Sequence, residues 1–463
     1  KANAAGERAL APKPPAGGPD WAVLPKAGGS VAWKPLSPVL GKLDDGVALW
    51  SARWNSLPLV SCQIVVDDGA AARYLYVRQI VVDAGSSFDP VGKLGLAELT
   101  ARLLNQGTTK LTATELAKAF ETLGASVRVN ASPDHATISL NVIARNFAPA
   151  LDLVGQMLTS PRFGDEDFDR EKELMLTDLL QGPDDPSWIA SRVFPIILHG
   201  GDHPYGRPAD GTTETVKSLS IADVKAFHRA RYVAPGAIVV VVGDVDESTL
   251  SRTMSAPLRD WAGTAPADSP TFPPRAKPEP GVVYLVDKPG AVQSVIRAGR
   301  IWVDRKDPSY FACQLGKYTV GGDFLSRLNQ NLRERNGYTY GAGSAFAYLR
   351  SGSTWSVRTS VRADVTGAAL KEILGELDGL GDGRPLTEHE MVTIRSRAAV
   401  ANASARSVAP GASRPNTRSR RLDAARSCRS PRASSRQRAS RRASPRSPCS
   451  NCLGTTFRRS WTS

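Results

Sequence analysis

The apolar positions along this chain switch repeatedly between a period of two and a period of about 3.6, so strand and helix signals alternate from about residue 40 to residue 261. Residues 46–53 and 57–66 read as strands and residues 96–105 as a helix. Thr112-Ala-Thr-Glu115 is a capping box, followed by Leu116, Phe120 and Leu123 on one helical face and by Gly124 as the stop. Residues 126–131 and 136–143 alternate as a hairpin. A helix through Leu151, Val154 and Leu158 ends before Pro161, and a longer one spans residues 165–181. Ser220-Ile-Ala-Asp223 caps a helix through Val224 and Phe227, and the unbroken apolar run 237–242 reads as a buried strand closing at Gly243.

Residues 263–281 contain Pro266, Pro270, Pro273, Pro274, Pro278 and Pro280, the composition of a stiff, extended linker. Beyond it the same grammar resumes. A strand at 282–286 and a helix at 309–320 lead to a Gly321-Gly322 break and a helix through Phe324, Leu328 and Leu332. Strands near 339–347 and 353–361 and a helix from Thr366 follow. The pattern predicts an α+β chain of two related domains, 39–262 and 282–400, each a mixed β-sheet packed with helices, after a flexible leader at 1–38. Gln63-Ile-Val-Val-Asp67 recurs as Gln79-Ile-Val-Val-Asp83. Two copies are too few for a solenoid, so the repeat reads as a local duplication that adds a strand or hairpin, or as an error in the gene sequence.

Charge changes this picture at one end only. The chain of 463 residues carries 59 Lys+Arg and 45 Asp+Glu, a net +14 that would suggest a polyanion-binding protein. Residues 401–463 hold 15 of the arginines, no lysine and the single acid Asp423, which leaves 44 basic and 44 acidic residues before them. The body is neutral, and nothing in it calls for nucleic acid. The tail, with 14 Ser, no Glu, no Ile and no Tyr, cannot bury enough apolar surface to fold alone. Its abrupt start reads as a reading-frame shift near residues 395–405, which would truncate the second domain; an arm for nucleic acid or a membrane surface is the alternative. The longest strongly apolar run, 237–242, is far short of the roughly 20 residues that span a bilayer, so no membrane span is expected. Cys62 and Cys313 are alone in the body. Cys449 and Cys452 form a C-x-x-C without a second pair.

Histidine is scarce: His135, His199, His203, His228 and His389. The spacing of His199 and His203 would suit one metal on a helix, but Gly200, Gly201 and Pro204 make this stretch a loop, and both read as loop histidines near a domain surface. No G-x-S-x-G, Walker loop or dinucleotide fingerprint appears. The block Gly95-Leu-Ala-Glu-Leu-Thr-Ala-Arg-Leu-Leu-Asn-Gln-Gly-Thr108 resembles the zinc-binding helix of the insulinase or pitrilysin family of inverted-motif peptidases, in which H-x-x-E-H is flanked by Gly-Leu-Ala and Gly-Thr. The flanks match and the ligands do not. By this resemblance Glu98 and Arg102 stand where the two histidines would be, Ala101 stands where the general base would be, and Asp178 takes the place of the glutamate ligand on a later helix. Glu98 and Asp178 then read as ion-pair partners of Arg102.

Two further stretches carry the resemblance. Asp202-His-Pro-Tyr-Gly-Arg-Pro208 is similar to the loop after the ligand helix. Residues 325–340 are similar to the segment in which an arginine and a tyrosine seven residues apart, here Arg333 and Tyr340, hold the substrate backbone and the developing oxyanion in a facing domain's site. Read singly, Arg333 would be a solvated helix residue beside Glu334, and Tyr340 a half-buried strand aromatic. The resemblance covers about residues 40–395. It implies a non-catalytic member similar to the bacterial subunits akin to the mitochondrial processing peptidase, its two domains forming a half-shell. Such a chain holds no cofactor of its own and pairs, as a heterodimer, with a homologous catalytic chain that carries the zinc, around an unfolded peptide. Export to a bacterial periplasm, or secretion, is implied as well. A scaffold or peptide-binding protein without catalysis is the alternative, and an active metallopeptidase with altered ligands a further one.

Overall fold

The computed structural model describes residues 38–43, 47–53, 59–66, 80–244, 247–264, 270–274, 281–382, 387, 390 and 457–460. The leader up to residue 37, the rest of the linker, His389, the Cys449–Cys452 motif and most of the tail lie outside them. Within the tail, β12 (Phe457–Ser460) pairs antiparallel with β8 (Val282–Leu285).

The first half is built on a seven-stranded sheet. β1 (Val39–Lys42) and β2 (Ala48–Arg53) are antiparallel, and β2 is parallel to β7 (Ala237–Gly243). β7 is buried almost throughout, as its unbroken run of valines requires of a strand covered on both faces. It pairs in turn with β3 (Leu59–Val66), β3 with β6 (Ala136–Ile143), and β6 with β5 (Ser126–Ala131), all antiparallel. The short β4 (Ile80–Val82) joins β6 and β7. The duplicated pentapeptides therefore reach the same partners: Ile64 and Ile80 both pair with Ile138, and Val65 and Val81 both pair with Ile238.

The helices of this half are α1 (Leu96–Leu104), α2 (Ala113–Thr122), α3 (Phe147–Thr159), α4 (Asp165–Gln181), α5 (Pro186–His199), α6 (Thr213–Ser218), α7 (Ile221–Arg231) and α8 (Glu247–Leu258); α5 lies against residues 293–302 of the second half. The capping boxes at Thr112–Glu115 and Ser220–Asp223 form as their sequences dictate. Leu99, Leu103, Phe120, Leu151, Met157, Val224 and Met254 are among the side chains that fill the core. α5 was hidden by Pro195 in its interior.

In the second half, β9 (Gln293–Trp302), β10 (Thr339–Leu349) and β11 (Gly352–Arg362) form an antiparallel sheet in the order β10-β11-β9. Ile296, Val357 and Val361 from this sheet pack with Leu328 and Leu332 and with Ala369 and Ile373 of α11 (Thr366–Asp382). α9 (Tyr310–Lys317) continues through a wider turn at Tyr318–Gly322. The helix expected through Phe324 begins instead at Arg327, as α10 (Arg327–Asn329) and its wider continuation Gln330–Arg335. The Asp323 carboxylate accepts from the Leu325 N–H at 3.2 Å, a local turn that keeps Phe324 out of the helix and 61% exposed.

The turn between β10 and β11 is pinned to the first half. The Asp134 carboxylate, buried in the β5–β6 turn, accepts from the Arg350 backbone N–H at 2.7 Å and from the Tyr205 hydroxyl at 2.5 Å, and that hydroxyl accepts from the Ser351 N–H at 3.0 Å. The Arg350 guanidinium reaches back to Asp83. Burial and then the neighbouring Asp134 charge raise the Tyr205 hydroxyl above its ordinary value, so it stays a donor.

His228 on α7 is buried, edge-on to Phe163 and stacked on Tyr232, with ring centroids 5.2 Å away in each case. Burial is the largest cause holding its pKa down to about 4.

Two outcomes follow. Asp134→Ala strands the Tyr205 hydroxyl and the Arg350 N–H, and should lower the unfolding free energy by about 2–4 kcal/mol, read from the urea midpoint. His228 takes up its proton near pH 6.5 in the unfolded chain and near 4 in the fold. Its contribution is present above pH 6.5 and is lost as pH falls toward 4, by roughly 3 kcal/mol at most. Chemical denaturation across that range should show the loss, and His228→Phe should flatten it.

Candidate functional site

The residues at the family's ligand positions lie on α1 and α4. α1 starts sharply because Gly95 has a φ of 93°, and a Cβ there would stand 3.1 Å from the Asp210 carbonyl oxygen. Gly107 beyond its end has a φ of 106°, where a Cβ would come 2.6 Å from the Leu111 carbonyl oxygen. Both glycines that flank the helix are thus demanded by the backbone itself. Asp89, which sequence reasoning missed, anchors the helix start: its carboxylate accepts from the N–H groups of Gly95 and Ala97, both at 2.9 Å. Burial pushes that carboxyl up to about 8 against the pull of these donors. It lies too far before the helix to match the usual capping spacing, so no local signal marks it.

On the solvent side of this helix Arg102 stands between two carboxylates. Its Nε donates to Glu98 Oε1 at 2.9 Å, one turn earlier, and its Nη2 to Asp178 Oδ2 on α4 at 3.2 Å. The structure brings these three together, as the resemblance implied. Burial opposes the guanidinium charge, but the bonds and charges of Glu98 and Asp178 outweigh it and raise Arg102 above its ordinary value. Ala101 faces inward and is 1% exposed.

His199 and His203 are not surface residues. His199 closes α5 and both rings are buried, stacked on each other at 5.2 Å. His203 Nδ1 accepts from the Tyr205 N–H at 3.1 Å, and its ring tilts against Tyr205 and Phe272. The pair supports Tyr205 in the junction with the second half. The glycines and proline broke the helix as expected, but the aromatic packing that buries the rings comes from segments distant in sequence.

Tyr340 lines a cleft, and Arg333 stands against Phe324 of the same wall. Arg333, in the Gln330–Arg335 segment, stacks its guanidinium over the Phe324 ring at 4.1 Å and approaches Glu334 at 3.5 Å. Phe324 and Tyr340 both line a cavity of about 620 Å³. Tyr340 is 91% exposed and not half-buried, because the β10–β11 register shifts between Thr339 and Ala342 and turns its side chain out of the sheet. No described helix is long and apolar enough to cross a membrane.

Residues 77–182 match the family profile of insulinase (peptidase family M16), and residues 218–397 that of the peptidase M16 inactive domain. An uncharacterized zinc protease of Mycobacterium leprae is 28% identical over 313 residues, covering 65% of this chain and 68% of that protein. A non-peptidase homolog of Helicobacter pylori is 26% identical over 269 residues, covering 58% of this chain and 60% of its own length. The chain thus spans about two thirds or less of these relatives. Among solved structures, a peptidase M16 inactive domain from Pseudomonas fluorescens superposes with a TM-score of 0.66 at 26% identity, over 79% of this chain and 84% of that one. With two profiles matched in family order and the fold shared, the chain belongs to the insulinase-like M16 family.

Proposed function

We propose that this chain is a non-catalytic subunit that lends Arg333 and Tyr340 to the zinc site of a homologous, catalytic partner, in a heterodimer that cleaves peptides. The observation that carries this reading is the Arg102 bridge between Glu98 and Asp178. Catalytic zinc needs three nitrogen or oxygen ligands, an open fourth position and a base for the bound water. Arg102 offers no lone pair and a fixed positive charge, both carboxylates are already engaged by it, and Ala101 accepts no proton. The residues present do not fit the metal, so no hydrolytic step is derived at this site.

The second half fits a donor role. Tyr340 extends into solvent with its hydroxyl open to a partner, and Arg333 is steadied by the Phe324 ring while Glu334 holds only one side of its fork. A fork of donors and a phenolic hydroxyl suit a peptide carbonyl and a developing oxyanion. The inactive-domain and non-peptidase descriptions of its relatives support the same reading. Export to the periplasm belongs to the same proposal and rests on the family resemblance.

Co-expression with a homologous chain carrying an intact H-x-x-E-H should give partner-dependent peptide hydrolysis. Arg333→Ala with Tyr340→Phe should lower kcat/KM about 10²- to 10³-fold without dissociating the pair; an unchanged rate returns the chain to a scaffold or peptide-binding role. Elemental analysis should find no stoichiometric zinc in the purified chain. The triple variant Glu98→His, Ala101→Glu, Arg102→His, with Asp178 retained, should gain it.

A further inference from the structure

The cleft beside Tyr340 also holds a charge arrangement that the proposed role does not use. Arg297 on β9 and Arg358 on β11 stand directly opposite each other in the antiparallel register, and both line the cleft. Like charges so placed repel across the strand pair. Arg297 is partly buried and its Nε has no hydrogen-bond partner, an arrangement that is costly unless a ligand completes it. Burial first, and then the facing Arg358, hold the Arg297 guanidinium below its ordinary value, and no carboxylate among the described residues offsets them. Asp323 lines the cavity as well, but its carboxylate is engaged by the Leu325 N–H.

The surroundings suit a ligand with a backbone. Gly321, Gly322, Gly341 and Gly343 form part of the wall, leaving main chain open to close approach, and a volume of about 620 Å³ admits a short peptide segment. Ser360 lies beside the arginines with Thr359, while the Thr359 hydroxyl is turned to the Gly341 carbonyl at 3.0 Å.

We propose that Arg297 and Arg358 form a subsite for a carboxylate of the bound peptide, either an acidic side chain or the free C-terminus. The subsite rests on the reading of this chain as a peptide-binding subunit, and it names a class of peptide that the reading leaves open. Two forked guanidinium groups match a carboxylate by paired N–H donors, and the anion relieves the repulsion between them.

The test is fluorescence anisotropy of the full chain with a labelled nonapeptide carrying one glutamate and a free C-terminus. Two relatives of the peptide separate the sources, one with glutamine for glutamate and one amidated at the C-terminus. Wild type should bind one of these about tenfold more weakly than the parent peptide. Arg358→Gln should abolish the difference while leaving the melting temperature equal or higher, because it removes a like-charge pair. Arg358→Lys should fall between. Inorganic phosphate at the same ionic strength as chloride should compete only against the peptides that keep the recognised carboxylate. Equal binding of all three peptides to wild type, no binding of any, or a preference that survives Arg358→Gln would each overturn the subsite. The shared-site reading is judged by partner-dependent hydrolysis and the subsite by the ratio of peptide affinities of the chain alone, so failure of one is seen separately from failure of the other.

Discussion

One buried carboxylate orients the rest of the molecule. Asp134 lies in a tight turn of the first half and accepts from both the Tyr205 hydroxyl and the Arg350 backbone. A buried carboxylate is tolerated only when donors meet its oxygens, so the Tyr205 hydroxyl and the Arg350 N–H converge on it, and the Ser351 N–H is held through Tyr205. That point fixes the β10–β11 turn, and through it the direction of both strands. At about 3.4 Å per residue the length of β10 carries Tyr340 on the order of 30 Å from the pinned turn. There the shifted register releases its side chain from the sheet. The arginine-tyrosine pair is therefore aimed by hydrogen bonds made at the far end of its own strand.

Helix α1 is framed by its backbone and tied by its charges. The glycines flanking α1 are held by backbone geometry, through positive φ and close carbonyls, and so do not depend on any ion. The guanidinium of Arg102 supplies between Glu98 and Asp178 the positive charge that a cation would otherwise supply. One guanidinium thus ties both carboxylates to α1 and α4, and the pairing holds the two helices together.

Much of this was legible in the sequence, for local reasons. The capping boxes, the helix at Asp165–Gln181, the hairpin of β5 and β6 and the buried strand β7 are written in spacings of a few residues. The ion pairs of Arg102 were readable because the family frame put Asp178 beside it. What escaped notice depends on contacts between distant segments. β9 mixes Arg and Gly with Val and Ile and shows no clean alternation. α5 and α8 carry internal prolines. The burial of His199 and His203 is decided by Tyr205 and Phe272, and the facing of Arg297 and Arg358 by a strand register that no spacing encodes.

The recurrent pentapeptide ends as a statement about tolerance. Its copies begin sixteen residues apart, at Gln63 and Gln79. An even offset keeps both in phase with the two-residue repeat of a strand, and Ile64 and Ile80 meet the same Ile138. To the strands on either side the copies are interchangeable. An insertion that would slip most sheets out of register is silent in this one, and the chain could lengthen or shorten here without its neighbours changing partners.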